Sequence, residues 1–172
     1  MDDLIPVTID SVRVSLVSPH RIVVLKDNRD RFLPIWIGPF ESDAITIALQ
    51  GNQVARPLTH DLLKALINEA GGKPEHIAVI DLRDDTFFAQ IVMQLNGRRL
   101  ELDSRPSDAI ALAVRLQLPI YVAEEVMDKA SIRPSTEEED TPVEDEKLDA
   151  FRDLIDDLDL DGFDKGESPK DK

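Results

Sequence analysis

The sequence predicts an α+β fold: a duplicated unit of three antiparallel strands in a meander plus one helix, making a single domain with an acidic C-terminal tail. Three observations carry that expectation. Apolar runs rich in β-branched residues come in threes, separated by turn formers. Each triplet is followed by a run with helical spacing. The two helical runs also share sequence, because Ser42-Asp43-Ala44-Ile45 lies 65 residues before Ser107-Asp108-Ala109-Ile110. The same offset lays Arg31–Ile37 on Asn96–Leu102 and Arg21–Lys26 on Thr86–Ile91, so strands fall on strands. The two units, within Val7–Gln50 and Ile77–Leu116, are expected to be related by a pseudo-twofold axis.

Val7–Leu16 alternates apolar and polar residues with one slip near Ser11, Arg21–Lys26 contains Ile-Val-Val-Leu, and Arg31–Ile37 contains Phe-Leu-Pro-Ile-Trp-Ile. Ser18-Pro19 and Asp27-Asn28 supply the turns between them. Gly38-Pro39 stops the third strand, and Glu41–Gln50 follows with helical spacing. A further helix is expected at Thr59–Ala70, with Thr59 as N-cap, a Leu58–Leu63 hydrophobic staple and Gly71-Gly72 beyond its end. The second meander reads Ile77–Leu82, the Asp84-Asp85 turn, Phe87–Leu95, the Asn96-Gly97 hairpin signal and Arg99–Leu102. Arg105-Pro106 then opens a helix at Ser107–Leu116.

Composition divides the chain at about residue 134. Residues 135–172 hold sixteen acidic against five basic side chains, a net −11, which leaves −4 on the first 134 residues. A domain is expected at 1–134. The 135–172 segment reads as an acidic, partly disordered linker and then an amphipathic helix with Leu148, Phe151, Leu154, Ile155 and Leu158 in one stripe. That stripe can fold back on its own domain or dock a protein partner. With no cysteine in 172 residues, a disulfide scaffold and thiolate chemistry are excluded. The acidic start and the short apolar runs predict a cytoplasmic protein without a signal peptide or membrane span. A mildly acidic domain repels polyanions at long range, so nucleic-acid binding would need a local arginine cluster or a bridging metal.

Polar residues gather at three helix entries: Glu41-Ser42-Asp43, Arg56-Pro57-Leu58-Thr59-His60-Asp61, and Asp103-Ser104-Arg105-Pro106-Ser107-Asp108. Capping explains part of this, since acidic and hydroxyl side chains complement a helix N-terminus, and Asp43, Asp61 and Ser107 suit that role. Arg56, Arg105 and His60 do not. An arginine before a helix N-terminus is like-charged with the dipole, so it must pair an acid or grip an anion. His60 is the best-placed acid/base group, while His20 and His76 read as exposed loop residues. The chain has no P-loop, dinucleotide-binding glycine pattern, nucleophile elbow or zinc-protease motif.

Leu33-Pro34-Ile35-Trp36-Ile37-Gly38-Pro39-Phe40-Glu41, Arg56 through Leu62, Ser104 through Ala113, and Pro119-Ile120-Tyr121-Val122 with Glu124-Glu125-Val126 together resemble the bifunctional nuclease family. The resemblance covers roughly residues 5–130 and implies nuclease activity on DNA and RNA, with nucleic acid as the substrate. Some members carry a repair-excinuclease-type motif after the domain; only the acidic stripe follows here, so a link to excision repair is not supported. Phosphodiester cleavage needs a nucleophile activator, charge stabilisation and a leaving-group acid. His60, Asp61, Asp108 and Glu41 are the candidate catalytic residues, and Arg56 and Arg105 the candidate phosphate-binding ones. Asp43, Asp103 and Asp108 are candidate ligands for a divalent metal, Mg²⁺ or Mn²⁺. Arg56, His60, Arg105 and Asp108 are expected to share one cleft. The competing reading is a non-catalytic regulatory or interaction protein whose acidic tail binds a protein. Open meanders leave exposed strand edges, so a homodimer or higher homo-oligomer is expected to cover them, independently of residues 135–172.

Overall fold

Alternating strands with one apolar face need helices to cover them, and the duplicated units supply both. The structure is a computed structural model that describes residues 3–14, 20–52 and 54–133. β1 (Leu4–Val14), β2 (Arg21–Lys26) and β3 (Phe32–Ile37) form one antiparallel meander, followed by α1 (Pro39–Leu49). α2 (Thr59–Glu69) separates it from a second meander of β4 (Lys73–Arg83), β5 (Thr86–Leu95) and β6 (Arg98–Ser104), followed by α3 (Pro106–Leu116). A short strand β7 (Ile120–Ala123) and helix α4 (Glu124–Ala130) complete the described part. The tail linker, the Leu148–Leu158 stripe and the Ser18-Pro19 turn lie outside the described residues. No helix among the described residues is long and apolar enough to cross a membrane.

The local sequence signals explain most element ends. The slip near Ser11 is a β-bulge between Ile9 and Ser11 that resets the alternation of β1 against β2. Asn96 and Gly97 both have positive φ, as do Asp84 and Asp85, the backbone a tight two-residue hairpin requires. Pro39 and Pro106 occupy the first helical turns, so α1 starts two residues, and α3 one residue, earlier than the spacing suggested. Gly71 takes φ +75° just beyond α2, and the Gly71 and Gly72 N–H groups donate to the Asn68 and Ile67 carbonyls, closing the helix end.

Four expectations need correction. The N-cap of α2 is Leu58, not Thr59, and its N–H is satisfied by the Asp61 carboxylate (2.9 Å). The staple is absent: Leu58 occupies the cap itself, and Leu63 instead packs against the core. His76 lies inside β4, half-buried, with its ring edge-on to Tyr121 (5.3 Å between centroids). The sheet is mixed and seven-stranded, in the order β3-β2-β1-β7-β4-β5-β6. Each meander turns its first strand inward, and β7 fills the gap, antiparallel to β1 and parallel to β4. Four residues are too few for periodicity to reveal such a strand.

α3 sits at the centre. Ala109, Ile110, Ala111, Leu112 and Ala113 are all fully buried, and the helix packs against β4 and β5 with α1 and α2 beside it. A helix apolar on every side belongs in an interior, and its alanines allow close approach. The sheet face toward it carries Val79, Ala89 and Val122, which belong to the same core.

A second organising feature was not legible. Arg31 is only 4% exposed. Its Nε donates to Asp27 Oδ2 (2.7 Å), and its terminal nitrogens reach Glu124 Oε2 (3.1 Å) and Asp128 Oδ1 (3.0 Å). Asp27 also accepts the Arg29 and Arg31 backbone N–H groups. The β2–β3 turn is thereby tied to α4. Burial alone would raise the Asp27 carboxyl, but the hydrogen bonds from Arg31 and Arg29 outweigh it and hold the carboxyl below its ordinary value. The Arg31 guanidinium lowers Glu124 likewise.

Removing the Arg31 guanidinium leaves the buried Asp27 carboxylate without its counter-ion, so Arg31→Met should cost about 3–5 kcal/mol in urea unfolding. Because the folded-state values of Asp27 and Glu124 are depressed, their stabilisation is complete above the ordinary carboxylate range of about pH 4. It is lost as pH falls through the lower folded values, and Arg31→Met should flatten that acid limb.

Candidate functional site

The duplication has a geometric consequence. α1 and α3 follow equivalent strands in the two meanders and pack against each other, so the copies of Ser-Asp-Ala-Ile arrive together. Asp43 of α1 and Asp108 of α3 line one cleft of about 580 Å³, which the segment entering α2 closes with Pro57, Leu58 and His60. Its other polar members are Glu41, Thr59 and Arg105.

Arg105 organises the polar end. Its Nε donates to Asp108 Oδ2 (2.7 Å) and a terminal nitrogen to Glu41 Oε1 (2.6 Å), joining residues 64 apart in sequence. Asp108 and then Glu41 raise the Arg105 pKa, so the guanidinium is a permanent cation. The second oxygen of Asp108 faces His60 Nε2 at 3.1 Å; a carboxylate accepts, so this nitrogen carries the hydrogen. His60 is buried, and its Nδ1 has no hydrogen-bond partner among the described residues. On α1 the Ser42 hydroxyl is likewise buried without one among them. Leaving such groups unpaired costs about 1–3 kcal/mol each. Asp43 is held by Arg21 (2.6 Å) from β2. Gly38 makes room beside this arrangement, because a Cβ there would collide with Glu41 Oε2, the carboxylate oxygen that does not bond Arg105.

Capping proves a partial account. Neither α1 nor α3 has a side-chain cap hydrogen bond; Asp43 and Asp108 turn to arginine and histidine instead. Asp61 does cap, and its other oxygen accepts from Arg115 Nε (2.7 Å), which fastens α2 to α3. Burial opposes ionisation of Asp61, but the Leu58 N–H and Arg115 prevail and lower its carboxyl.

His60, Arg105, Asp108 and Glu41 are thus brought together, with Asp43 beside them. Arg56 is exposed, just before Pro57, and does not line the cleft; it has no polar partner among the described residues. Asp103 is placed elsewhere. It pairs with Gln90, and Gln90 with Ala78, while the adjacent row Ser104, Ala89, Val79 meets the core, so strand alternation sends Asp103 to the opposite face of the sheet. Among the described residues, no three carboxylate or imidazole groups converge as a metal cluster. Arg21 and Phe40 were missed by sequence reasoning. The 65-residue offset places Phe40 opposite Arg105, a clue that an exposed helix entry had been given an aromatic side chain.

Comparison with known proteins follows the same lines. The bifunctional nuclease domain profile matches residues 23–135. An uncharacterised protein of Mycobacterium tuberculosis is 35% identical over 161 residues, which is 91% of this chain and 96% of that protein. Bifunctional nuclease 1 of Arabidopsis thaliana is 33% identical over 110 residues, 61% of this chain but 34% of the plant protein. Bifunctional nuclease 2 of the same plant is 31% identical over 110 residues, covering 61% of this chain and 33% of the plant protein.

Asp61→Ala removes a cap and strands the Arg115 side chain, which is 5% exposed. The expected loss is about 3 kcal/mol, read as a lower Tm, with Asp61→Asn losing less because it keeps an acceptor.

Proposed function

Because the chain belongs to the bifunctional nuclease domain family, we propose that this cleft is a nuclease site that hydrolyses phosphodiester bonds of DNA and RNA. The observation that supports it is the His60–Asp108–Arg105–Glu41 cluster, which combines a hydrogen-bond donor, proton acceptors and an anion-binding guanidinium in one place. Arg105 contacts the scissile phosphate and stabilises its developing charge, with Arg56 holding a neighbouring phosphate. Asp108 accepts a proton from the attacking water as the new O–P bond forms; the old P–O bond breaks, the departing oxygen takes a proton from solvent water, and Asp108 later releases its own proton to solvent. His60 Nε2–H, committed to Asp108 at 3.1 Å, orients that carboxylate toward the water. Glu41 positions Arg105, and Asp61 holds α2 so that His60 faces Asp108.

Glu41 and Asp108 are hard oxygen donors that already share one cation, the Arg105 guanidinium, and a Mg²⁺ or Mn²⁺ ion held by these two would draw its remaining ligands from water and the substrate phosphate. When bound there, the metal would polarise a phosphoryl oxygen and offset carboxylate charge. Asp103, on the other sheet face, is not part of this proposal. A homodimer that covers the outer strands β3 and β6 belongs to it.

The test incubates highly purified full-length chain with single-stranded DNA and RNA, with and without Mg²⁺ or Mn²⁺. Cleavage should fall at least about 100-fold in Asp108→Ala and His60→Ala prepared in parallel. Equal cleavage by all three preparations would expose a contaminant, and no cleavage by any would favour the interaction-protein reading.

A further inference from the structure

The cleft has an apolar lining beside its charged cluster. Phe40, Ala44 and Ile47 form a stripe along α1 at the spacing of successive helical turns, and Pro57 and Leu58 line the same cleft from the α2 entry. Phe40 is 83% exposed, far more than a large apolar side chain gains from folding alone. Pro39 and the start of α1 fix its backbone, and its neighbour Glu41 holds Arg105, so the aromatic ring and the guanidinium belong to one rigid helix entry.

Charge sharpens the argument. Glu41, Asp43 and Asp108 outnumber Arg105 and Arg21, so the cleft has no positive excess with which to hold a polyanion. Affinity for nucleic acid must then come largely from contacts other than phosphate, and the Phe40 wall is the apolar surface beside the phosphate-binding group. A volume of about 580 Å³ also suits one nucleotide.

We propose that Phe40, with Ala44 and Ile47 behind it and Pro57 and Leu58 lining the same cleft, is a base-stacking subsite that accepts one unpaired nucleobase flanking the phosphate at Arg105. The inference rests on the nuclease reading and gives it a substrate class: single-stranded or locally unpaired nucleic acid. A base inside a duplex keeps its faces against its neighbours and cannot reach the ring without unstacking. Phe40 is a specificity-determining residue here and takes no part in proton transfer.

Equilibrium binding by fluorescence anisotropy tests this without relying on cleavage. The probes are a labelled oligothymidylate, an abasic strand of the same length and a blunt duplex, each with full-length protein and with Phe40→Ala and Phe40→Trp. The wild type should bind the oligothymidylate about 10-fold tighter than the abasic strand. Phe40→Ala should lose that preference with its Tm unchanged, because the side chain is exposed, while Phe40→Trp should keep it. The affinity should also fall only shallowly with salt. Equal affinity for abasic and base-bearing strands, or an unchanged preference in Phe40→Ala, would overturn the subsite while leaving a cleaving enzyme intact. Absence of binding to every probe would overturn it together with the nuclease reading.

Discussion

The burial of α3 is the constraint on which the rest depends. Five consecutive residues, Ala109–Ala113, are sealed between the sheet and the flanking helices, so this helix can neither shift nor rotate without opening the core. Its N-terminus therefore has a fixed position beside α1. Asp108 and Arg105 inherit that position, one in the first turn and one at the cap. His60 is brought to them from α2, whose attachment to α3 combines apolar packing with the Asp61–Arg115 pair and the bond from Lys64 to the Arg115 carbonyl (2.8 Å). The polar cleft is thus supported by an apolar interior on one side and by ion pairs on the other.

Charge in this domain is handled in closed local groups. Arg31 serves Asp27, Glu124 and Asp128; Arg105 serves Asp108 and Glu41; Arg115 serves Asp61; Arg21 serves Asp43. The first of these is buried and holds a turn to a distant helix, while Arg105 is mostly exposed and bridges two helices at the cleft. Burial decides their different significance. A buried pair cannot lose one member without stranding the other, whereas an exposed guanidinium can exchange a carboxylate for an incoming phosphate at little cost. The same chemistry is structural in one place and available for binding in the other.

Much of the fold was legible because it depends on short-range rules. Alternation, turn residues and helix-entry prolines placed six strands and three helices, and the bulge in β1 appeared as the slip near Ser11. The pairing of two arginine-bearing segments with helix entries was also legible as chemistry in need of partners. β7 and α4 were not, since four and seven residues give little periodic signal and their placement is decided by the gap between β1 and β4. Arg31 was legible only as the first residue of the third strand, because its partners Glu124 and Asp128 lie more than ninety positions away.

The sequence by itself determined six strands, three helices, their duplication and the residue types at the helix entries. Local backbone preferences and apolar periodicity act within a few residues and need no partner. Only the tertiary structure decided which of those residues meet. His60 reaches Asp108 across 48 residues and Glu41 reaches Arg105 across 64, because both rest on how the helices pack. Asp103 is separated from Asp108 by only five positions, yet strand alternation turns it to the opposite face. Nearness in sequence and nearness in space part company there, since a side chain's partners are chosen by which face of which element it occupies.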